Sequence, residues 1–181
     1  KPAPIQDKSI PIILSGKDVI AQAQSGTGKT GAFSIGNLCR IDESKQRIQS
    51  IIIVPTRELA DQVTKVITEL SSYTKITVLK VIGGTNVNEC RNDLNKNPHI
   101  VVGTPGRILD MINRRDLPTI DIKILTFDEA DEILSHGFKE CIHDIIQQVD
   151  KTTQICLFSA TLPDEILELT DKFMNEPERI L

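Results

Sequence analysis

The chain of 181 residues predicts an α/β fold, with a mostly parallel central sheet flanked by helices. Three observations carry this. Short, continuous, β-branched runs recur along the chain, as expected of strands buried on both faces of a parallel sheet. Helical periodicities lie between them. Most of the runs pass straight into polar or glycine-containing segments, and in open parallel sheets ligands bind beyond the carboxyl ends of the strands.

In chain order the predicted strands are Val19–Ala21, Ile51–Val54, Val78–Ile82, Ile100–Val102, Ile122–Phe127 and Ile155–Phe158. A helix is expected to begin near Lys29, after a glycine-rich turn. Leu59, Val63, Val66, Ile67 and Leu70 recur at three- and four-residue spacing and mark one apolar helix face. Ile133, Ile142, Ile145, Ile146 and Val149 mark another helical region. No repeat, low-complexity segment or shift of composition divides the chain, so residues 1–181 are expected to form one domain.

Composition narrows the function classes. Hydrophobic residues make up 39% and charged residues 25%, a soluble globular profile. No apolar run approaches the ~20 residues of a membrane-spanning helix. Cys39, Cys90, Cys141 and Cys156 are scattered without a Cys-x-x-Cys pair, which favours reduced cysteines over a zinc or disulfide framework. Cys39 and Cys156, among apolar neighbours, are expected to be packed. His99, His136 and His143 are read as surface or packing residues. A cytoplasmic location follows from this profile, with the nucleus as the other option. The net charge of −4 gives no global basic footprint for nucleic acid. With no Trp, one Tyr and five Phe, a base-stacking platform is not expected either.

Five strand ends carry chemistry. Val19–Ala21 leads into Ala23-Gln24-Ser25-Gly26-Thr27-Gly28-Lys29-Thr30, close to the phosphate-binding pattern G-x-x-x-x-G-K-[ST] with Ala23 in the first glycine position. Gly26 and Gly28 let backbone N–H groups face phosphate oxygens, and the following helix adds its positive end. Lys29 is placed to reach the β- and γ-phosphates and Thr30 to ligate Mg2+. Ile122–Phe127 ends in Asp128-Glu129-Ala130-Asp131. There Asp128 suits a magnesium ligand, partly through water, and Glu129 a base that positions the attacking water. The loop and the acidic cluster are expected on adjacent strand ends. Ile51–Val54 leads into Pro55-Thr56-Arg57-Glu58-Leu59-Ala60, Ile100–Val102 into Thr104-Pro105-Gly106-Arg107, and Ile155–Phe158 into Ser159-Ala160-Thr161. Arg57 and Arg107 offer charged forks to phosphate, while Gly84 and Gly106 permit close backbone approach.

These motifs, in this order, resemble the DEAD-box ATP-dependent RNA helicases over essentially the whole chain. The resemblance implies a RecA-like P-loop NTPase domain using ATP with Mg2+. Gln6 resembles the glutamine that reads adenine, and Lys1 a residue packed near the base. Ala23 through Thr30 is then the nucleotide loop, for which Ala23 is normal, with Lys29, Asp128 and Glu129 catalytic. The resemblance implies that Asp131, Ser159 and Thr161 couple the ATP state to the RNA-bound form. It likewise implies that Pro55, Thr56, Arg57, Gly83, Gly84, Thr104, Gly106, Arg107 and Asp110 contact the RNA sugar–phosphate backbone, with little sequence preference. Among subfamilies, Asp18–Thr30 looks most like translation initiation factor 4A, while Ile10–Gly16 is similar to the mRNA-decay branch.

Family members work with two RecA-like lobes, so the first residue, which is not Met, and the last are expected to be boundaries of a piece carrying the first lobe. The implied partners are RNA, the second lobe of the same protein and regulatory proteins. This lobe alone is expected to bind nucleotide weakly and hydrolyse it barely or not at all, because an arginine finger worth ~10³–10⁵ in rate lies on the second lobe. Two other classes stay open on the residues: another P-loop enzyme, such as a DNA helicase or a small-molecule kinase, and a nucleotide-binding scaffold without catalysis.

Overall fold

The computed structural model describes residues 1–181. Seven parallel strands form one sheet: β1 (Val19–Gln22), β2 (Ser50–Ile53), β3 (Val78–Val81), β4 (Ile100–Gly103), β5 (Ile124–Phe127), β6 (Gln154–Ser159) and β7 (Glu178–Ile180). Their spatial order is β3-β4-β2-β5-β6-β1-β7. The helices are α1 (Pro4–Leu14), α2 (Lys29–Arg40), α3 (Arg57–Leu70), α4 (Val87–Leu94), α5 (Pro105–Asn113), α6 (Ala130–Ser135), α7 (Lys139–Gln148) and α8 (Asp164–Phe173).

Side chains alternate across a strand, so each strand feeds two cores. Val19, Ala21, Ile52, Ile124 and Cys156 pack with Ile13, Phe33, Val63 and Ile67 under α1, α2 and α3. Ile20, Ile51, Ile53, Leu125 and Leu157 pack with residues of α4 to α8 on the opposite face. The central strands β2, β4, β5 and β6 are buried at every position, which explains why they read as continuous apolar runs.

All six expected strands are present, with ends moved by one or two residues. Ile122 is buried but precedes β5. The seventh strand carries the sequence Glu-Arg-Ile, with only Ile180 buried, and completes the edge beside β1. The helical region from Ile133 to Val149 is two helices, because Gly137 (φ +84°) turns the chain between α6 and α7. Cys156 is fully buried as expected, but Cys39 is exposed. On α2 the residues facing the core are Ala32, Phe33, Gly36 and Asn37, and Cys39 falls outside that stripe. His99 is a packing histidine, wholly buried, with Nδ1 accepting from the Thr77 N–H at 2.9 Å.

Candidate functional site

Apart from Lys1 and Gln6, which lie ahead of and on α1, the sequence-predicted motifs lie at or just past the C-terminal ends of parallel strands and so share one edge of the sheet. The strand order also sorts them. Gly83-Gly84 follows β3, Thr104–Arg107 follows β4 and Pro55–Ala60 follows β2, forming one half of the edge. Asp128–Asp131 follows β5, Ser159–Thr161 follows β6 and the glycine loop follows β1, forming the other half. The loop and the acidic cluster are therefore not on adjacent strands, because β6 runs between them. The Ser159-Ala160-Thr161 turn occupies that intervening end, so the two motifs meet across it.

The loop is shaped by its glycines. Gly26 and Gly28 are left-handed (φ +80° and +93°), a conformation that Cβ-bearing residues rarely adopt. A Cβ on Gly28 would also meet Ala3 Cβ and Gln6 Nε2 at 3.0 Å. Backbone amides from Gln24 to Thr30 donate to no acceptor within the chain. They form a run of free donors ending at the first turn of α2, where the helix dipole adds positive potential. Such a run has the chemistry that suits an anion. Gln6 braces it from α1: its Oε1 accepts from Ala3 N at 3.0 Å and its Nε2 donates to Gly28 O at 3.1 Å. Lys1 is exposed ahead of α1. A cleft of about 420 Å³ runs alongside the loop, lined by Pro4, Ile5, Lys8, Gln22, Ala23, Gln24, Thr27, Ile180 and Leu181.

Lys29 is almost entirely buried, at 5% exposure. Its Nζ lies 3.0 Å from Asp128 Oδ1 and 3.4 Å from Glu129 Oε1. Burial pushes the Asp128 carboxyl above the ordinary carboxylate range, against the downward pull of the Lys29 ammonium. Its Oδ1 touches Lys29 as an ion pair but has no aligned hydrogen bond. Glu129 is a non-glycine residue in the left-handed region (φ +52°, ψ +51°) at the head of α6. That conformation turns the chain sharply at the end of β5 and costs on the order of 1–2 kcal/mol.

Asp131 closes the acidic motif onto the β6 turn. Its Oδ2 accepts from Thr161 N at 3.2 Å and Thr161 Oγ1 at 2.8 Å. Its own N–H donates to Ser159 Oγ at 3.2 Å, and that hydroxyl donates to Thr161 O at 2.6 Å. Partial burial raises the Asp131 carboxyl, but bonds from Thr161, Ser159 and the Glu132 N–H together outweigh it, so the net shift is downward. A carboxylate with a lowered folded pKa stabilises above its unfolded value and loses that contribution as pH falls through the folded one. Asp131→Ala is expected to cost roughly 1–2 kcal/mol at neutral pH. The deficit should shrink below pH ~4, the ordinary Asp range. Urea unfolding at several pH values checks this, and a pH-independent deficit would contradict it.

On the other half of the edge, Pro55, Thr56, Arg57, Glu58, Gly83, Gly84 and Thr104 line a second cleft of about 420 Å³ with no apolar side chain other than proline. Thr56 caps α3, its hydroxyl accepting from Leu59 N at 3.2 Å. This starts the helix at Arg57 and leaves the guanidinium exposed. Gly84 is left-handed (φ +80°), and a Cβ there would strike Arg57 Nη1 at 2.6 Å. Arg107, on the first turn of α5, donates to Thr85 Oγ1 at 3.0 Å and Thr85 O at 2.8 Å. Gly106 is exposed beside it. Asp110 does not line this cleft and instead accepts from Arg114 Nε at 3.0 Å, one turn along α5.

Three residues of the edge were not read from the sequence. Thr85 anchors Arg107, and only its place after Gly83-Gly84 marks it. Gln22 donates to Ala160 O at 3.2 Å and ties the end of β1 to the β6 turn. Gly31 lies against Gln6, whose Nε2 would be 2.8 Å from an added Cβ. A third glycine within one turn of Gly28 was the available signal.

Comparison with known proteins identifies the family and the fold. The model of the DEAD/DEAH box helicase family matches residues 3–169. The chain is 52% identical over its whole length to the ATP-dependent RNA helicase eIF4A of Mycosarcoma maydis, covering 44% of that protein. It superposes on the structure of a DEAD box protein from Methanococcus jannaschii with TM-score 0.96 and 42% identity, over 99% of this chain and 49% of that one. Saccharomyces cerevisiae Dbp5, solved bound to Nup159, Gle1, IP6 and ADP, gives TM-score 0.88 and 34% identity, over 99% of this chain and 48% of that one. The chain thus spans about half the length of the relatives it matches. With a RecA-like parallel sheet, these motifs along one edge and a family match over nearly all of its residues, the chain belongs to the DEAD/DEAH box helicase family.

Proposed function

We propose that residues 1–181 form the nucleotide-binding lobe of an ATP-dependent RNA helicase. Mg-ATP occupies the half of the edge around Lys29, and RNA crosses the half around Arg57, Gly84 and Arg107. The observation that carries this reading is the run of unpaired amides from Gln24 to Thr30, which includes Lys29, whose ammonium is itself paired with two carboxylates. Donors for phosphate, a cation for its charge and carboxylates for a hydrated metal stand within one cluster.

The donors suit Mg2+, a hard cation that keeps several waters and takes few protein ligands. Asp128 Oδ1 is buried without an aligned hydrogen bond, and Thr30 stands half-buried on the first turn of α2. Thr30 and Asp128 would hold the ion, Asp128 partly through water. When bound, Mg2+ neutralises charge on the phosphates and orients the terminal one.

The protein residues divide the remaining work. The Gly26–Thr30 amides bind the phosphates. Lys29 turns from the carboxylates toward the β- and γ-oxygens, a competition decided by the larger phosphate charge. That exchange frees Glu129 to accept a proton from the attacking water. Gln6 keeps one N–H and one lone pair beyond its two internal bonds, and this donor–acceptor pair matches the adenine edge, with Lys1 alongside. Asp131, Ser159 and Thr161 connect the acidic strand end to the β6 turn, so a displacement of one moves the other.

Arg57 and Arg107 bind phosphate, with Pro55, Thr56, Gly83, Gly84, Thr104 and Gly106 supplying close backbone approach. Asp110 acts beside them, through Arg114. In the two-lobed protein, Arg57→Ala and Arg107→Ala should each weaken single-stranded RNA uniformly across sequences. Each should lower the salt slope of log K by ~0.7. Sequence-selective loss in filter binding would contradict backbone recognition.

A second RecA-like lobe of the same protein completes the site, and regulatory proteins are further partners; one relative, Dbp5, was solved bound to Nup159 and Gle1. No helix is long and apolar enough to cross a membrane. The working place is the cytoplasm or nucleus. A calorimetric titration of this chain with Mg-ADP tests the nucleotide site, and silence at millimolar nucleotide would favour a scaffold. Matched RNA and DNA strands added to the two-lobed ATPase test the substrate, and equal stimulation by DNA would overturn the RNA assignment. Brisk RNA-stimulated turnover by residues 1–181 alone would overturn the need for the second lobe.

A further inference from the structure

Beneath the nucleotide site, the apolar core is interrupted by a polar triad. Asn37 lies on α2, eight positions after Lys29, which is roughly two turns or ~12 Å along the helix. Its Nδ2 donates to Thr126 Oγ1 on β5 at 3.0 Å and to Phe33 O at 2.8 Å. Its Oδ1 accepts from Ser50 Oγ on β2 at 2.6 Å. All three side chains are wholly buried. Thr126 is two residues before Asp128, on the same face of β5.

The helix that begins with Lys29 is thus fastened at two heights to β5 and to Asp128 just past its end. The upper fastening is the Lys29–Asp128 ion pair at 3.0 Å, and the lower is Asn37–Thr126. An apolar contact tolerates sliding of a helix along a sheet. Directional bonds to one hydroxyl on each of two strands do not, because a shift of one residue rise breaks both.

We infer that Asn37, held by Ser50 and Thr126, is a positioning residue. It sets the axial register of α2 against β5, and with it the placement of Lys29 relative to Asp128 and the bound phosphates. This inference rests on the nucleotide-site reading above.

The test separates register from stability. Asn37→Leu leaves two buried hydroxyls without their partner and should lower both the melting temperature and Mg-ADP affinity. The triple variant Asn37→Leu/Ser50→Ala/Thr126→Val removes every member, so no polar group is orphaned and stability should return toward wild type. Its Mg-ADP affinity should stay about tenfold below wild type, because the register is no longer fixed while the first-turn residues are untouched. Affinity within twofold of wild type in a stably folded triple variant would overturn the inference. So would a parallel recovery of affinity and melting temperature. If the triple variant does not fold, Thr126→Ser and Thr126→Val decide. Serine keeps the hydroxyl and should bind Mg-ADP like wild type, whereas valine should bind about tenfold more weakly at matched stability. Equal affinity of the two variants would sink the proposal. Wild-type protein that ignores Mg-ADP would instead bring down the nucleotide site itself, and this inference with it.

Discussion

Lys29→Met is expected to weaken Mg-nucleotide binding at least a hundredfold, about 3 kcal/mol, because charge-assisted bonds to phosphate contribute roughly 1.5–3 kcal/mol each. The larger surprise should be in stability. Methionine fills the volume of the lysine stem, so packing is nearly conserved, but the cation between Asp128 and Glu129 is gone. Removing one partner of a buried pair costs on the order of 3–5 kcal/mol when the remaining charge cannot escape. Asp128 can escape by taking up a proton. Burial already raises its carboxyl, and Lys29 is the principal opposing influence, so the variant should raise it further. A carboxyl whose folded pKa lies above its unfolded value favours the folded state at low pH and loses that advantage as pH rises through the folded pKa. The variant should therefore stand closest to wild type near pH 5 and fall behind toward pH 8, by about 3 kcal/mol at the upper end. Chemical denaturation across that range, paired with Mg-ADP calorimetry, gives both numbers. A stability deficit that is flat with pH would mean that the Lys29–Asp128 pair does not govern the carboxyl.

This pairing also marks where sequence reading stops. The six longer strands and the face of α3 were legible because burial on both sides of a sheet, or on one side of a helix, writes a periodic apolar pattern. Strand β7 was not, since an edge strand of three residues with two exposed charged side chains leaves no pattern. Helices α1, α4, α5 and α8 were not separately read. In α1, Pro11 sits inside the helix and interrupts the usual signal, and tertiary packing against α2 overrides it. The site motifs were legible because their chemistry needs particular residue types at fixed spacing. The strand order was not, so the loop and the acidic cluster were expected side by side although β6 separates them. Asn37 is the clearest case. In sequence it is a polar residue within an apolar stretch of helix, and only the placement of Ser50 and Thr126 gives it partners.

Glu129→Gln should reduce ATP turnover in the two-lobed protein by ~10²–10⁴ while changing Mg-nucleotide affinity by no more than about threefold. The substitution is isosteric and retains an oxygen for Lys29, so the ion-pair geometry loses only charge. On the proposed reading, what disappears is the ability to take the proton of the attacking water. ATP and RNA should then accumulate as a bound complex, measurable as slow dissociation of labelled RNA with ATP present. The backbone provides an independent handle on the same residue. Glu129 holds a left-handed conformation at the head of α6, and glycine adopts it without that strain. Glu129→Gly should therefore match or exceed wild type in stability, by roughly 1 kcal/mol, while being as slow as the glutamine variant. Loss of turnover in both variants, with a gain in stability in the glycine variant alone, would separate catalysis from folding at one position. A glutamine variant that hydrolyses ATP at the wild-type rate would move the water-positioning role away from Glu129. The strained turn after β5 would then serve only to aim Asp131 at Ser159 and Thr161, the contact through which the acidic strand end reaches the β6 turn.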